Sequence, residues 1–126
     1  MKTLKIEPTA STPSILFDLD SHVFQIGGNS YPENVVPFYE PVLSWLEAYV
    51  NNPHPQTIFE IRLKYISSNS LKQFLILLKL LTPLSEATKV EIKWYYDPAD
   101  DDMLERGEFL SEMTGLEFIF IEEEPA

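Results

Sequence analysis

Thr57-Ile58-Phe59-Glu60-Ile61-Arg62-Leu63-Lys64-Tyr65-Ile66-Ser67-Ser68-Asn69-Ser70-Leu71-Lys72-Gln73-Phe74 is the stretch whose reading decides the fold. In its first half Phe59, Ile61, Leu63 and Tyr65 fall on one parity and Glu60, Arg62 and Lys64 on the other. That period of two predicts a strand with one buried face. The second half is apolar at helical length. From Leu71 to Leu84 it carries Phe74, Leu75, Ile76, Leu77, Leu78, Leu80 and Leu81, broken by Lys72, Gln73 and Lys79. Such a helix is buried over most of its circumference or covers a partner. Between the halves, residues 67–70 place hydroxyls at a helix N-terminus, where unpaired N–H groups and the dipole favour negative charge. Ser70 followed by Gln73 has the spacing of a capping box, which predicts the N-cap near Ser70.

Working outward, Thr88 to Tyr96 alternates again, with Val90, Ile92 and Trp94 on one face and Lys89, Glu91 and Lys93 on the other. The acidic turn Asp97-Pro98-Ala99-Asp100-Asp101-Asp102 is placed to cap a third helix running to about Met113, and Gly115 ends it. Leu116 to Ile121 reads as a last strand, and residues 122–126 as an acidic tail. Upstream, Leu4 to Glu7 is a short first strand, and Ser14 to Asp20 pairs as a hairpin with His22 to Gly28. Gly27-Gly28 is expected to end that second hairpin strand. Ser30 with Glu33 has capping-box spacing at the start of the first helix, and Pro32 suits an early helical position. Pro37 and Pro41 leave two readings open: a helix delayed to about Pro37, or an irregular opening turn. Phe38, Val42, Trp45, Leu46 and Tyr49 share one face of that helix. The order hairpin, α, β, α, β, α, β predicts a single α/β domain over residues 1–126, with a mixed, mostly parallel sheet and about three helices.

The bulk composition narrows the function. The 126 residues carry 9 Lys plus Arg against 20 Asp plus Glu, a formal charge of −11. Nucleic acid and anionic membrane are not expected partners, because binding them needs clustered cations. The charge serves solubility, or a protein partner with a basic face. The absence of cysteine excludes thiol catalysis, disulfides and thiolate metal sites, and fits a reducing cytoplasm. Met1 to Glu7 lacks the apolar core of a signal peptide, and no apolar run reaches the length of a membrane span.

Candidate chemistry is sparse. His22 and His54 are the only histidines, and Gly27-Gly28 is no phosphate-binding motif. Asp97, Asp100, Asp101, Asp102 and Glu105 lack the calcium-loop spacing and its glycine. No carboxylate pair stands out for acid–base work. We therefore expect no catalytic residues, no metal and no cofactor. The serine loop remains. Serines before a helix are ordinarily caps and turn formers, and Ser70 suffices for that job. Ser67 and Ser68 are left over, and a phosphoryl group on Ser68 would add about −1.5 to −2 charges. A second reading is a small-ligand or allosteric sensor, with an apolar pocket beside helix 71–84.

Several segments together carry a resemblance. They are Ser11-Thr12-Pro13, Gly28-Asn29-Ser30-Tyr31-Pro32-Glu33-Asn34, Tyr65 through Lys72, Trp94-Tyr95-Tyr96-Asp97, and Asp100-Asp101-Asp102-Met103 through Gly107-Glu108. In this order the chain resembles the SiaC family of regulatory phosphoproteins over nearly its whole length. The resemblance implies a fold like the sulfate-transporter and anti-sigma-factor-antagonist (STAS) domain. It implies a non-catalytic partner switch that binds and activates a diguanylate cyclase when unphosphorylated, raising cyclic-di-GMP and favouring biofilm. It further implies a cognate serine/threonine kinase and a PP2C-type phosphatase. By motif the family's acceptor threonine falls on Ser68, with Ser67 the alternative. The family pattern Asn-Thr-Ser-Ser is here Ser67-Ser68-Asn69-Ser70. Tyr31, Glu33, Ser67, Asn69, Ser70 and Lys72 are the expected partner-binding residues.

Overall fold

The computed structural model describes residues 1–125. Six strands form one sheet: β1 (Leu4–Ile6), β2 (Ser14–Asp18), β3 (Val23–Ser30), β4 (Gln56–Ile66), β5 (Lys89–Tyr96) and β6 (Glu117–Glu122). Their order in the sheet is their order in the chain. β1, β2 and β3 pair antiparallel, and β3 through β6 pair parallel. Helices α1 (Val35–Tyr49), α2 (Ser68–Lys79) and α3 (Asp101–Thr114) fill the three parallel connections. α1 lies beside α2, and α2 beside α3. Parallel crossovers keep one hand as a rule, so three stepping in one direction put all helices on one face of the sheet. This is the mixed, mostly parallel α/β architecture that the alternation of strands and helices predicts.

The core lies between that helical layer and the sheet. Phe17, Phe24, Phe59, Ile61, Ile92 and Trp94 from the strands meet Tyr39, Val42, Leu46, Phe74, Leu77, Leu78 and Leu110 from the helices, all essentially fully buried. The Phe59 ring centre stands 5.3 Å from that of Phe24 and 5.4 Å from that of Phe17. Trp45 closes this aromatic end and donates from Nε1 to the Lys2 carbonyl at 2.7 Å.

Five local expectations are corrected. β3 does not end at Gly27-Gly28 but runs on to Ser30. Gly28 adopts φ 104°, and the register with β4 shifts there, Gly28 facing Leu63 and Asn29 facing Tyr65. Lys64 is thus the extra residue of a bulge. The bulge inverts the alternation of β4. Ile66 is buried and Tyr65, read as core-facing from parity, is 51% exposed. Ser30 is the buried last residue of β3 and not a cap; α1 starts after Asn34, whose side chain makes no capping bond. Pro37 occupies the first turn, where its missing N–H is harmless, and Pro41 lies within the helix on its exposed side. α2 stops at Lys79 rather than Leu84, and a 3-10 turn, Leu84–Glu86, follows Pro83. Finally β2 stops at Asp18, with His22 at φ 57° in the turn. The third helix is as expected: Asp100 accepts from the Met103 N–H at 3.0 Å, and Gly115 ends it in the left-handed region at φ 71°.

Candidate functional site

The site is the pair of loops leaving the carboxyl ends of β3 and β4. The Ser67 N–H donates to the Ser30 carbonyl at 2.8 Å, which ties the two loops together. Ser67, at φ −73° and ψ 162°, is the N-cap of α2, and its Oγ accepts from the Ser70 N–H at 3.1 Å. This corrects the assignment of the cap to Ser70. Ser70 is fully buried, on the same face of α2 as Phe74, Leu77 and Leu78. A serine on the apolar face of a helix needs polar partners, and Ser70 has them. Its Oγ accepts from Ser30 Oγ at 2.8 Å and from Ser67 Oγ at 3.1 Å. Ser30 Oγ lies 2.5 Å from the Tyr39 hydroxyl. Since Ser30 gives its proton to Ser70, Tyr39 donates to Ser30. A buried chain of hydroxyls therefore runs from α1 through β3 to the cap of α2.

Burial pushes the Tyr39 hydroxyl up to about 12, against the opposing effect of its Ser30 and Ser70 neighbours. The folded state holds this group neutral more firmly than the unfolded state does. Its contribution is complete below the ordinary tyrosine value of 10.0 and is lost as pH rises toward about 12. Stability is expected to fall through that alkaline window, and chemical denaturation at stepped pH measures it. In a Tyr39→Phe variant this fall should be reduced. The variant should also be about 1–2 kcal/mol less stable at neutral pH, because Ser30 loses its donor.

With Ser67 capping and Ser70 buried, Ser68 is the hydroxyl left over. It is the first residue of α2, it is exposed, and its side chain makes no hydrogen bond among the described residues. Asn69 is exposed beside it, and Lys72 is exposed one turn on. The first N–H groups of a helix have no intrahelical acceptor. The Ser70 N–H is satisfied by Ser67, so those of Ser68 and Asn69 remain for water or an anion.

Tyr31 lies on the first loop, 45% exposed, with its N–H on the Ser11 carbonyl at 2.8 Å. Its ring meets that of Tyr65 edge-on, with centres 5.7 Å apart. Tyr65 is a site residue that period-two reading misses. The signal lay in the opposite strand, where Gly28 permits the bulge that turns Tyr65 outward. Glu33 is exposed on the same loop as Tyr31, three residues after Ser30. The structure thus brings Tyr31, Ser67, Ser68, Asn69 and Lys72 to the carboxyl ends of β3 and β4. It withdraws Ser70 from the surface.

Two clefts open on the surface, and neither lies beside α2. One, of about 400 Å³, is lined by His22, His54, Pro55, Gln56 and Ile58. The other, of about 590 Å³, opens near Arg62 and Tyr95 on the other face of the sheet. Phe74, Leu77 and Leu78 of α2 point into the core, Ile76 is 48% exposed, and neither cleft supplies the pocket beside this helix that the sensor reading expects. No group of three or more His, Cys, Asp or Glu able to hold a metal occurs among the described residues. No helix among them is long and apolar enough to cross a membrane.

Comparison with known proteins agrees with this fold. The sequence profile of the family described as SiaC family regulatory phosphoprotein matches residues 6–123. An uncharacterized protein of Pseudomonas aeruginosa (strain UCBPP-PA14) is 29% identical over 119 residues, covering 94% of each chain. The crystal structure of apo-SiaC from Pseudomonas aeruginosa is 28% identical with a TM-score of 0.87, over 96% of this chain and 99% of that one. A chain in the crystal structure of diguanylate cyclase SiaD in complex with its activator SiaC, from the same organism, is 27% identical. Its TM-score is also 0.87, over 95% of this chain and 99% of that one.

Proposed function

The chain belongs to the SiaC family of regulatory phosphoproteins, and from that premise we propose that it is a non-catalytic partner switch for a diguanylate cyclase. Unphosphorylated, it binds and activates the cyclase, in the way the solved SiaC relative is described as an activator of SiaD. A cognate serine/threonine kinase phosphorylates Ser68 and a PP2C-type phosphatase reverses it. The cyclic-di-GMP output then links the switch to aggregation and biofilm.

One observation carries the reading. Of the three serines in the loop, Ser67 is committed to capping and Ser70 to the buried network, and Ser68 alone is exposed and uncommitted. A modification there leaves the hydroxyl chain intact. It changes the charge of a surface that also presents two half-exposed tyrosines.

Tyrosine pairs of this kind anchor protein interfaces, being large, stiff and polar at the tip. Tyr31→Ala and Tyr65→Ala are each expected to weaken binding to the cyclase by about tenfold, near 1.4 kcal/mol. Neither should shift the melting temperature much, since both rings are about half exposed. The test is a titration of purified cyclase with the chain, reading affinity and cyclic-di-GMP production together. If wild type neither binds nor stimulates the cyclase, the proposed function is wrong. If both tyrosine variants act like wild type, the docking face lies elsewhere.

A further inference from the structure

The face of the sheet away from the helices carries a second preorganised site. At the carboxyl ends of β4 and β5 the Arg62 guanidinium lies 3.7 Å over the centre of the Tyr95 ring. The Tyr95 hydroxyl donates to Glu60 Oε2 at 3.1 Å, which fixes the ring beneath the cation. Against this stacked guanidinium the chain sets a carboxylate of its own. Arg62 Nε donates to the two oxygens of Glu123 at 3.0 and 3.3 Å. Glu123 lies just past β6, and its N–H continues the ladder onto the Tyr96 carbonyl at 2.8 Å. Around the pair a cleft of about 590 Å³ opens, with Lys64 on its wall. In a chain with a net charge of −11, two of the nine cations face this one cleft.

We propose that this cleft receives an acidic side chain from a segment of a protein partner, and that Glu123 is its resident competitor. The inference is independent of the serine loop. A guanidinium already oriented on an aromatic ring presents its fork at little entropic cost, and carboxylates fit that fork. The Arg62–Glu123 pair is exchangeable, the two side chains being 43% and 45% exposed. Asp97, Asp100 and Glu124 also line the cleft, and Glu60 Oε2 stands 3.8 Å from Arg62 Nη1, so a long run of acids is disfavoured. The segment that fits carries one or two carboxylates between neutral or apolar residues. A tethered carboxylate competes at an effective concentration on the order of millimolar, so the wild-type cleft is partly self-occupied.

The probe is the blocked peptide acetyl-Leu-Glu-Ala-Glu-Leu-amide, with its Gln counterpart as control, titrated into the full isotope-labelled chain and followed by NMR. Glu123→Gln should bind the Glu peptide about threefold to fivefold tighter than wild type, as removal of a tethered but exchangeable competitor allows. The amide shifts should centre on Lys64, Tyr95 and Tyr96. Arg62→Gln placed in the Glu123→Gln background should abolish binding. Both substituted side chains are a little under half exposed and lie outside the core, so both variants keep the fold. The proposal is overturned if Glu123→Gln gains no affinity, if Arg62→Gln retains it, if the Gln peptide binds equally, or if the shifts map elsewhere.

Discussion

A Gly107→Val variant is expected to lose at least about 3 kcal/mol of stability and to melt about 10 °C or more below wild type. Gly107 is where α3 crosses Trp94. A Cβ there would stand 2.6 Å from both Cδ1 and Nε1 of the indole and 2.8 Å from Cε2. The ring has nowhere to go. Trp94 is fully buried, its Nε1 donates to the Met103 carbonyl at 3.0 Å, and Phe118 packs near it with ring centres 6.2 Å apart. Relief requires lifting α3 off β5 or breaking the indole bond. Overpacking alone is worth about 1–3 kcal/mol and an orphaned buried donor about as much again. Better helix propensity at position 107 offsets only a few tenths of a kcal/mol. Gly115→Ala separates contact from conformation. Gly115 also resists substitution, but only through its φ of 71°, with nothing within 4 Å of a new Cβ. It should cost about 1–2 kcal/mol. If thermal unfolding finds the Gly107 variant no worse than the Gly115 variant, the tight α3–β5 crossing is misplaced.

What the sequence made legible follows the range of each signal. The alternation through Phe59, Ile61 and Leu63 and the apolar run of α2 are local: β4 stands where it was read, and α2 lies on the stretch read for it with both ends moved, to Ser68 and Lys79. The Asp100 cap and the Gly115 stop are equally local. Tyr65 failed because its orientation is decided in another strand. Gly28 and the register it allows lie far along the chain, and one inserted residue exchanges the two faces. Ser30 failed for a similar reason. Its polar partner Tyr39 comes from the following helix, so a capping box was inferred where a buried hydrogen bond stands. The Ser70 cap was different, because the signal was present and outweighed. Ser70 stands four, seven and eight residues before Phe74, Leu77 and Leu78, the spacing of one helical face. That spacing makes Ser70 an inward residue already inside the helix and moves the cap back to Ser67.

The shift of the cap decides what a charge on the loop does. Ser68→Asp is expected to weaken cyclase binding about tenfold, and phosphorylation of Ser68 about a hundredfold, near 2.7 kcal/mol. Ser68→Ala should bind within about threefold of wild type. The free chain tolerates the charge. It would sit at the first position of α2, beside the unpaired N–H groups of Ser68 and Asn69 and one turn from the exposed Lys72. Ser68→Asp should therefore leave the melting temperature unchanged or raise it slightly. The cost falls on the complex, where the same charge is stripped of water against a partner surface that fitted a neutral hydroxyl. Ser67 behaves in the opposite way. Ser67→Ala removes the cap and one partner of Ser70, for about 1 kcal/mol of stability, and leaves the acceptor in place. Kinase treatment followed by phosphosite mapping should then find the phosphate on Ser68 in both wild type and Ser67→Ala. Phosphate on Ser67, or a phosphorylated chain that binds the cyclase as tightly as before, would defeat the assignment. Phosphate on Ser67 would mean that the N-cap opens before modification, and the buried chain from Tyr39 through Ser30 and Ser70 resists that opening.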